Sequence, residues 1–238
     1  MKPRLLDLGD TALTLELGER VDLALNAHVM AARDALGALP GITDIVPTYR
    51  SLTVHYDPTI LARDELAEKL LRAADAAPKK SALATRWRIP VLFGGTHGPD
   101  LAEVARATKR SEADVAAALC ELELRVFMIG FLPGFPYLGE LPDWLQLPRR
   151  STPRTAVPPQ SVAIAGAQAA IYPWQSPGGW HLLGRTPARM FDLATPDRPA
   201  LLAVGDTVQF TQIDAAEFER LGAAVLAGEL SRDQLLAP

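Results

Sequence analysis

Gly130-Phe131-Leu132-Pro133-Gly134-Phe135-Pro136-Tyr137-Leu138-Gly139 packs three glycines, two prolines and three aromatic residues into ten positions. Neither a regular helix nor a central strand accommodates that mixture: proline removes a backbone donor and fixes φ, and glycine costs backbone entropy. The run reads as an ordered loop in which proline stiffness and glycine freedom hold aromatic faces in one arrangement. A surface turn packing its own rings is the plain alternative to a pocket wall. The stretches further along the chain favour the wall.

Around this loop the chain reads as short strands divided by turns, at 125–129, 161–165, 201–204 and 207–210. The last two flank Gly205-Asp206, a two-residue link suited to a primed hairpin turn. Upstream, Trp87, Ile89 and Val91 alternate with Arg86 and Arg88, a strand that ends at Gly94-Gly95. Two short helices follow it. One opens at Pro99-Asp100, the other at Ser111 with Asp114 three residues on, a capping-box pattern. Helices decorating a β-barrel or sandwich is the architecture this predicts.

Further out, Leu13, Leu15 and Leu17 alternate with Thr14 and Glu16, and the run 51–56 alternates likewise, with His55 on its wetter face. Leu25, Val29, Ala32 and Leu36 share one helical face, closed by Gly37 and Pro40-Gly41; Leu66, Ala67, Leu70, Leu71 and Ala74 form a second such face after Asp57-Pro58. The Ala-, Lys- and Pro-containing stretch 76–84 reads as a linker. The expected class is therefore α+β, with a small ferredoxin-like α/β domain over 1–80 and a β-rich domain over 86–238.

A net charge of -4 with no dense Lys/Arg run gives no electrostatic footprint for nucleic acid or for an anionic membrane surface. The start has no secretory-signal pattern, and no apolar run nears the roughly 18 residues of a membrane span, so a cytoplasmic setting is expected. Cys120 is the only cysteine, which excludes an internal disulfide and a Cys-based zinc site; it reads as a small buried hydrophobe in a helix.

The chemistry concentrates in two irregular stretches. Pro148-Arg149-Arg150-Ser151-Thr152-Pro153-Arg154 brings three guanidinium groups into six residues. Arginine is the side chain suited to bidentate recognition of carboxylate or phosphate. Ser176-Pro177-Gly178-Gly179-Trp180-His181-Leu182-Leu183-Gly184-Arg185-Thr186-Pro187 repeats the recipe, with backbone N–H groups near Gly178 and Gly179 able to approach an anion. No P-loop exists, since no lysine follows a glycine.

These runs, together with Ser-Val-Ala-Ile-Ala-Gly at 161–166, resemble the family of the 5-oxoprolinase B subunit, which also includes the sporulation kinase inhibitor KipI and chains named allophanate hydrolase subunit 1. The similarity extends to Gly98-Pro99-Asp100-Leu101 upstream and Gly205-Asp206 downstream. It departs at Gln168-Ala169-Ala170, where the family usually places Thr-Gly after the glutamine, and in the helix beginning at Ser111, which lacks a histidine common near position 119.

The resemblance implies a small α/β domain, a cyclophilin-like β-barrel, and a component that acts with the C and A subunits of 5-oxoprolinase. The implied reaction takes 5-oxo-L-proline, ATP and water to L-glutamate, ADP and phosphate, with Mg in the assembled complex. It implies no biotin attached to this chain, as no internal Met-Lys acceptor exists, and no metal ligands are assigned. A lactam is a poor electrophile, so such an enzyme must orient a phosphoryl group against the lactam oxygen and neutralise spreading charge. On motif position, Arg154 and Arg185 are expected to line the anionic site, with His181 handling protons or orienting. Gln168 and Tyr172 are expected to hydrogen-bond substrate, Phe131 and Tyr137 to form the wall, and Arg149, Arg150, Gly178 and Gly179 to face the nucleotide. The alternatives are a KipI-like inhibitor of a sensor histidine kinase and a carboxyltransferase component of the urea carboxylase type.

Overall fold

The computed structural model describes residues 3–78 and 84–237, in two compact units, Met1–Ala82 and Leu83–Pro238. Of the stretch expected as a linker, residues 79–83 lie outside the described residues.

The first unit runs β1 (Arg4–Asp7), β2 (Ala12–Glu16), α1 (Leu23–Leu36), β3 (Ile42–Pro47), β4 (Ser51–Tyr56) and α2 (Arg63–Ala74). Its antiparallel sheet has the order β1-β2-β4-β3. Leu13, Leu15, Leu52 and Val54 point to one face, as period-two alternation requires, and meet Val29, Ala32, Leu66 and Leu70 of the helices in one core. Leu71, expected on the apolar face of α2, is exposed instead. Strand β4 lies between β2 and β3, which α1 connects, so a split βαβ unit is present. The ferredoxin-like order βαββαβ is not: the fourth strand precedes this unit, as β1, instead of following α2. β1 escapes sequence reading because it is an edge strand with little burial on either face.

The second unit contains β5 (Arg86–Phe93), α3 (Leu101–Thr108), α4 (Glu112–Glu121), β6 (Leu124–Ile129), β7 (Pro136–Gly139), β8 (Arg154–Val157), β9 (Ser161–Ala165), β10 (Gln168–Ile171), β11 (Ser176–Gly178), β12 (His181–Arg185), β13 (Thr207–Gln212) and α5 (Ala215–Ala227). Seven strands close into a barrel in the order β10-β7-β6-β13-β5-β12-β9, and β8 and β11 form a separate two-stranded ribbon. Closure removes the exposed edges an open sheet would carry. Every barrel pairing is antiparallel except β13 with β5.

Strand β9 is buried at all five positions. Val162 and Ile164 join the main core with Ile89, Val126 and Leu183, whereas Ala163 and Ala165 point the other way into a second, aromatic cluster. Covered on both faces, β9 and β10 show no polar alternation.

Helices α3 and α4 contribute Val104, Val115 and Leu119 to the main core. At the start of α4 the Ser111 hydroxyl accepts from the Asp114 N–H at 3.0 Å, and the Asp114 carboxylate accepts from the Ser111 N–H at 3.1 Å. Ser111→Ala is expected to lower stability by about 1 kcal/mol, read as a shift in the urea midpoint. An unshifted midpoint would mean that packing alone holds α4. Cys120 is half-buried in this helix, and burial pushes its thiol pKa up, which keeps it a thiol.

Two further departures from the sequence expectation lie in this second unit. The last four residues of the Gly/Pro-rich run are strand β7, paired with both β6 and β10. Pro136 is tolerated because it is the strand's first residue. Gly139 is required because a Cβ there would sit 2.1 Å from the Phe127 ring. The expected hairpin at Gly205-Asp206 does not form, and 201–204 is not a strand. The buried Asp206 carboxylate instead accepts from the Thr85 N–H, the Ala203 N–H and the Trp87 indole at 2.8–3.1 Å, and β13 enters between β5 and β6. Among the described residues no helix is long and apolar enough to cross a membrane.

Candidate functional site

The outward face of β7, β9 and β10 carries an aromatic layer resting on Ala163, Ala165 and Ala170. Small residues beneath leave room for large rings above. Phe135 is the hub: its ring centroid lies 4.9 Å from Tyr137, 5.1 Å from Tyr172, 5.4 Å from Phe131 and 6.2 Å from Trp180. Three of these contacts are edge-to-face, the arrangement the ring quadrupole favours. Phe131 is 63% exposed and sits at φ 69, so it forms the outer lip, whereas Phe135 and Tyr172 are 2% exposed. Gly178 of β11 lies over the Tyr172 hydroxyl so closely that a Cβ would be 2.3 Å from it. Burial pushes the Tyr172 phenol up to about 12, so it keeps its proton and can donate. Burial raises Tyr137 in the same sense.

A second constellation frames this face. Asp100, 3% exposed, accepts from Arg154 at 2.6 and 2.9 Å, from Arg150 at 3.0 Å and from the Leu182 N–H at 2.7 Å. The Asp100 N–H returns a bond to the Leu182 carbonyl. Burial alone would raise the Asp100 pKa; hydrogen bonds from Arg154 and the Leu182 N–H, with the two nearby guanidinium charges, more than offset it and hold the carboxyl below its usual range. Although Asp100 occupies the capping position of α3, its carboxylate makes no cap bond and serves instead as an ion-pair hub.

The predicted residues therefore divide. Phe131, Tyr137 and Tyr172 come together, with Gly178 against Tyr172. Gln168 starts β10 opposite Ala165, on the face of Ala170, and its Nε2 is buried without a partner. Arg154 faces Asp100, which already matches its charge. Arg150 is shared between Asp100 and Glu103, and its N–H donates to the Gly179 carbonyl at 2.8 Å. Arg185 donates Nε to the Pro159 carbonyl at 2.8 Å. His181 is buried, with Nε2 2.9 Å from the Pro148 carbonyl; a carbonyl only accepts, so Nε2 is the donor, and Nδ1 is buried without a partner. Arg149 lies over the Trp180 ring at 5.9 Å. Sequence reasoning missed Phe135, Trp180 and Asp100 as parts of this site, although all three stand inside or beside the motifs it singled out.

TTHA0988, a solved crystal structure, matches with a TM-score of 0.76 at 37% identity over 86% of this chain, which spans 40% of that longer chain. The Kluyveromyces lactis urea amidolyase shares the fold at a TM-score of 0.81 and 19% identity, over 96% of this chain and 16% of its own. The chain belongs to the family described as carboxyltransferase domain, subdomain C and D, whose model matches residues 3–202, and groups there with proteins named as the B subunit of 5-oxoprolinase. It is 40% identical over 204 residues to the one from Escherichia coli O157:H7, covering 85% of this chain and 93% of that one. With the one from Bacillus subtilis (strain 168) it is 35% identical over 227 residues, covering 89% and 93%.

Proposed function

We propose that this chain is the B subunit of an ATP-dependent 5-oxoprolinase, acting with the C and A subunits in the cytoplasm to convert 5-oxo-L-proline, ATP and water to L-glutamate, ADP and phosphate. The observation that carries the reading is 40% identity across 93% of the length of a protein named for that role. The aromatic face of the barrel, which we read as cyclophilin-like, supports it. A five-membered lactam is flat enough to lie on Tyr137 and Phe131, Gln168 Nε2 is a buried donor in want of an acceptor, and Tyr172 donates throughout the physiological range.

In this proposal Arg150 and Arg154 hold β8 and the 148–154 loop against Asp100, and His181 orients through Pro148 and leaves Nδ1 to accept a proton or hydrogen bond. Bound ATP supplies the activation that makes the lactam C–N bond breakable. Its site is only partly formed by this chain. The glycine-rich turn at Gly178 and Gly179 suits the approach of a phosphate to backbone N–H groups, but among the described residues no group of three or more His, Cys, Asp or Glu gathers to hold Mg. The C and A subunits then complete the nucleotide site.

Glutamate release from 5-oxo-L-proline and ATP should be undetectable with this chain alone and appear when the C and A subunits are added. Full activity from the chain alone would sink the shared-site reading. No activity from the complete set would sink the oxoprolinase reading.

A further inference from the structure

Of the four arginines in the two motif stretches, three direct donors inward: Arg154 to Asp100, Arg150 to Asp100 and Glu103, and Arg185 to the Pro159 carbonyl. Arg149 differs. Among the described residues its guanidinium has no ion pair and no hydrogen bond. It stands 5.9 Å from the Trp180 ring centroid, and its charge is felt by the phenols of both Tyr137 and Tyr172. Its backbone is nonetheless fixed, because the next residue is tied down at its N–H by Gly179 and at its side chain by Asp100. An arginine anchored at its base, unpaired at its tip and laid over an aromatic wall is preorganised for an anion.

Two further groups want a partner on the same layer. Ser176 is 7% exposed and its Oγ has none; it pairs with Val157, a member of the aromatic cluster, and directly opposed residues point to one face. Gln168 Nε2 is likewise buried and unpaired, on the face of Ala165 and Ala170. Buried donors without acceptors are rare and costly, so two of them on the aromatic layer that an unpaired arginine overhangs mark a place where a ligand completes the bonding.

We propose that this face binds a small planar ring bearing a carboxylate and a ring carbonyl, with Arg149 reading the carboxylate, Gln168 Nε2 donating to the carbonyl, Ser176 Oγ completing the polar contacts, and Tyr137 and Trp180 covering the ring. The choice of 5-oxo-L-proline as first probe rests on the 5-oxoprolinase reading; the recognition chemistry does not. Calorimetric titration of the full chain, alone and assembled with the C and A subunits, compares 5-oxo-L-proline with 2-pyrrolidone, which lacks the carboxylate, and with benzoate, a planar carboxylate without the lactam. Arg149→Gln should weaken 5-oxo-L-proline about tenfold or more, the worth of one charge-assisted hydrogen bond, and leave 2-pyrrolidone unchanged. Gln168→Leu should weaken both lactams and spare benzoate. Arg149-dependent binding of benzoate without binding of 5-oxo-L-proline would keep the site and sink the oxoprolinase reading. Equal affinity of wild type and Arg149→Gln for 5-oxo-L-proline, or no binding of any probe to chain or complex, would overturn the proposal.

Discussion

Asp100→Ala is expected to lower folding stability by about 3 kcal/mol, the low end for removing one partner of a buried ion pair. The low end applies because the Arg150 and Arg154 side chains are each 26% exposed and water screens part of the loss. The deletion strips acceptors from two guanidinium groups and from the buried Leu182 N–H at once. Asp100→Asn keeps an acceptor for Leu182 and should lose less.

A pH dependence separates the charge from the packing. The fold holds the Asp100 pKa below its unfolded value of about 3.9. The charge-dependent stabilisation is therefore fully present above that value and lost as pH falls through the lower, folded pKa. Urea titrations should give a gap between wild type and Asp100→Asn that is constant from neutral pH down to about 5 and narrows below about 4. A gap that stays flat into strong acid would show that the carboxylate's charge contributes nothing.

Phe135→Ala carries the other large effect, about 3–5 kcal/mol, typical of emptying a buried aromatic site. Its ring touches four others, so its loss should also release Tyr137, Tyr172 and Trp180 from their fixed positions. Near-ultraviolet circular dichroism should fall along with the urea midpoint. Phe131→Ala is the control: 63% exposed, it should change stability by about 0.5 kcal/mol or less and leave the other rings in place. A Phe135 variant with unchanged aromatic signal would mean that the layer is held by the ribbon above it and not by its hub.

Local pattern carried much of this molecule into view. The alternation at β4 and β5, the helical spacing of α1 and the capping box of α4 were all legible, because each is decided by residues within one or two turns of one another. What stayed hidden depends on distance. β10 reads Gln-Ala-Ala-Ile, too small and too uniform to signal a strand, and is one because β7 and β9 flank it. Pro136 disguised β7. Helix α5 has no buried residue, so its apolar spacing had no core to report on. Asp100 stood out only as the opening of a helix because its partners stand 50, 54 and 82 positions away. The arginine-rich stretch stands out in the sequence as a concentration of charge, but which of its guanidinium groups are paired is decided by that same distant carboxylate.

The parallel seam between β13 and β5 has a consequence for synthesis. Thr207 lies beside Arg86 and Gln212 beside Val91, so the first and last strands of the barrel are neighbours although a stretch holding the other five is made between them. While the chain emerges from the ribosome, β5 and β6 keep open, adhesive edges until β13 arrives to fill the gap. A nascent chain halted just before Thr207 would hold both arginine-bearing stretches and the whole aromatic layer and still present an unzipped sheet to its neighbours.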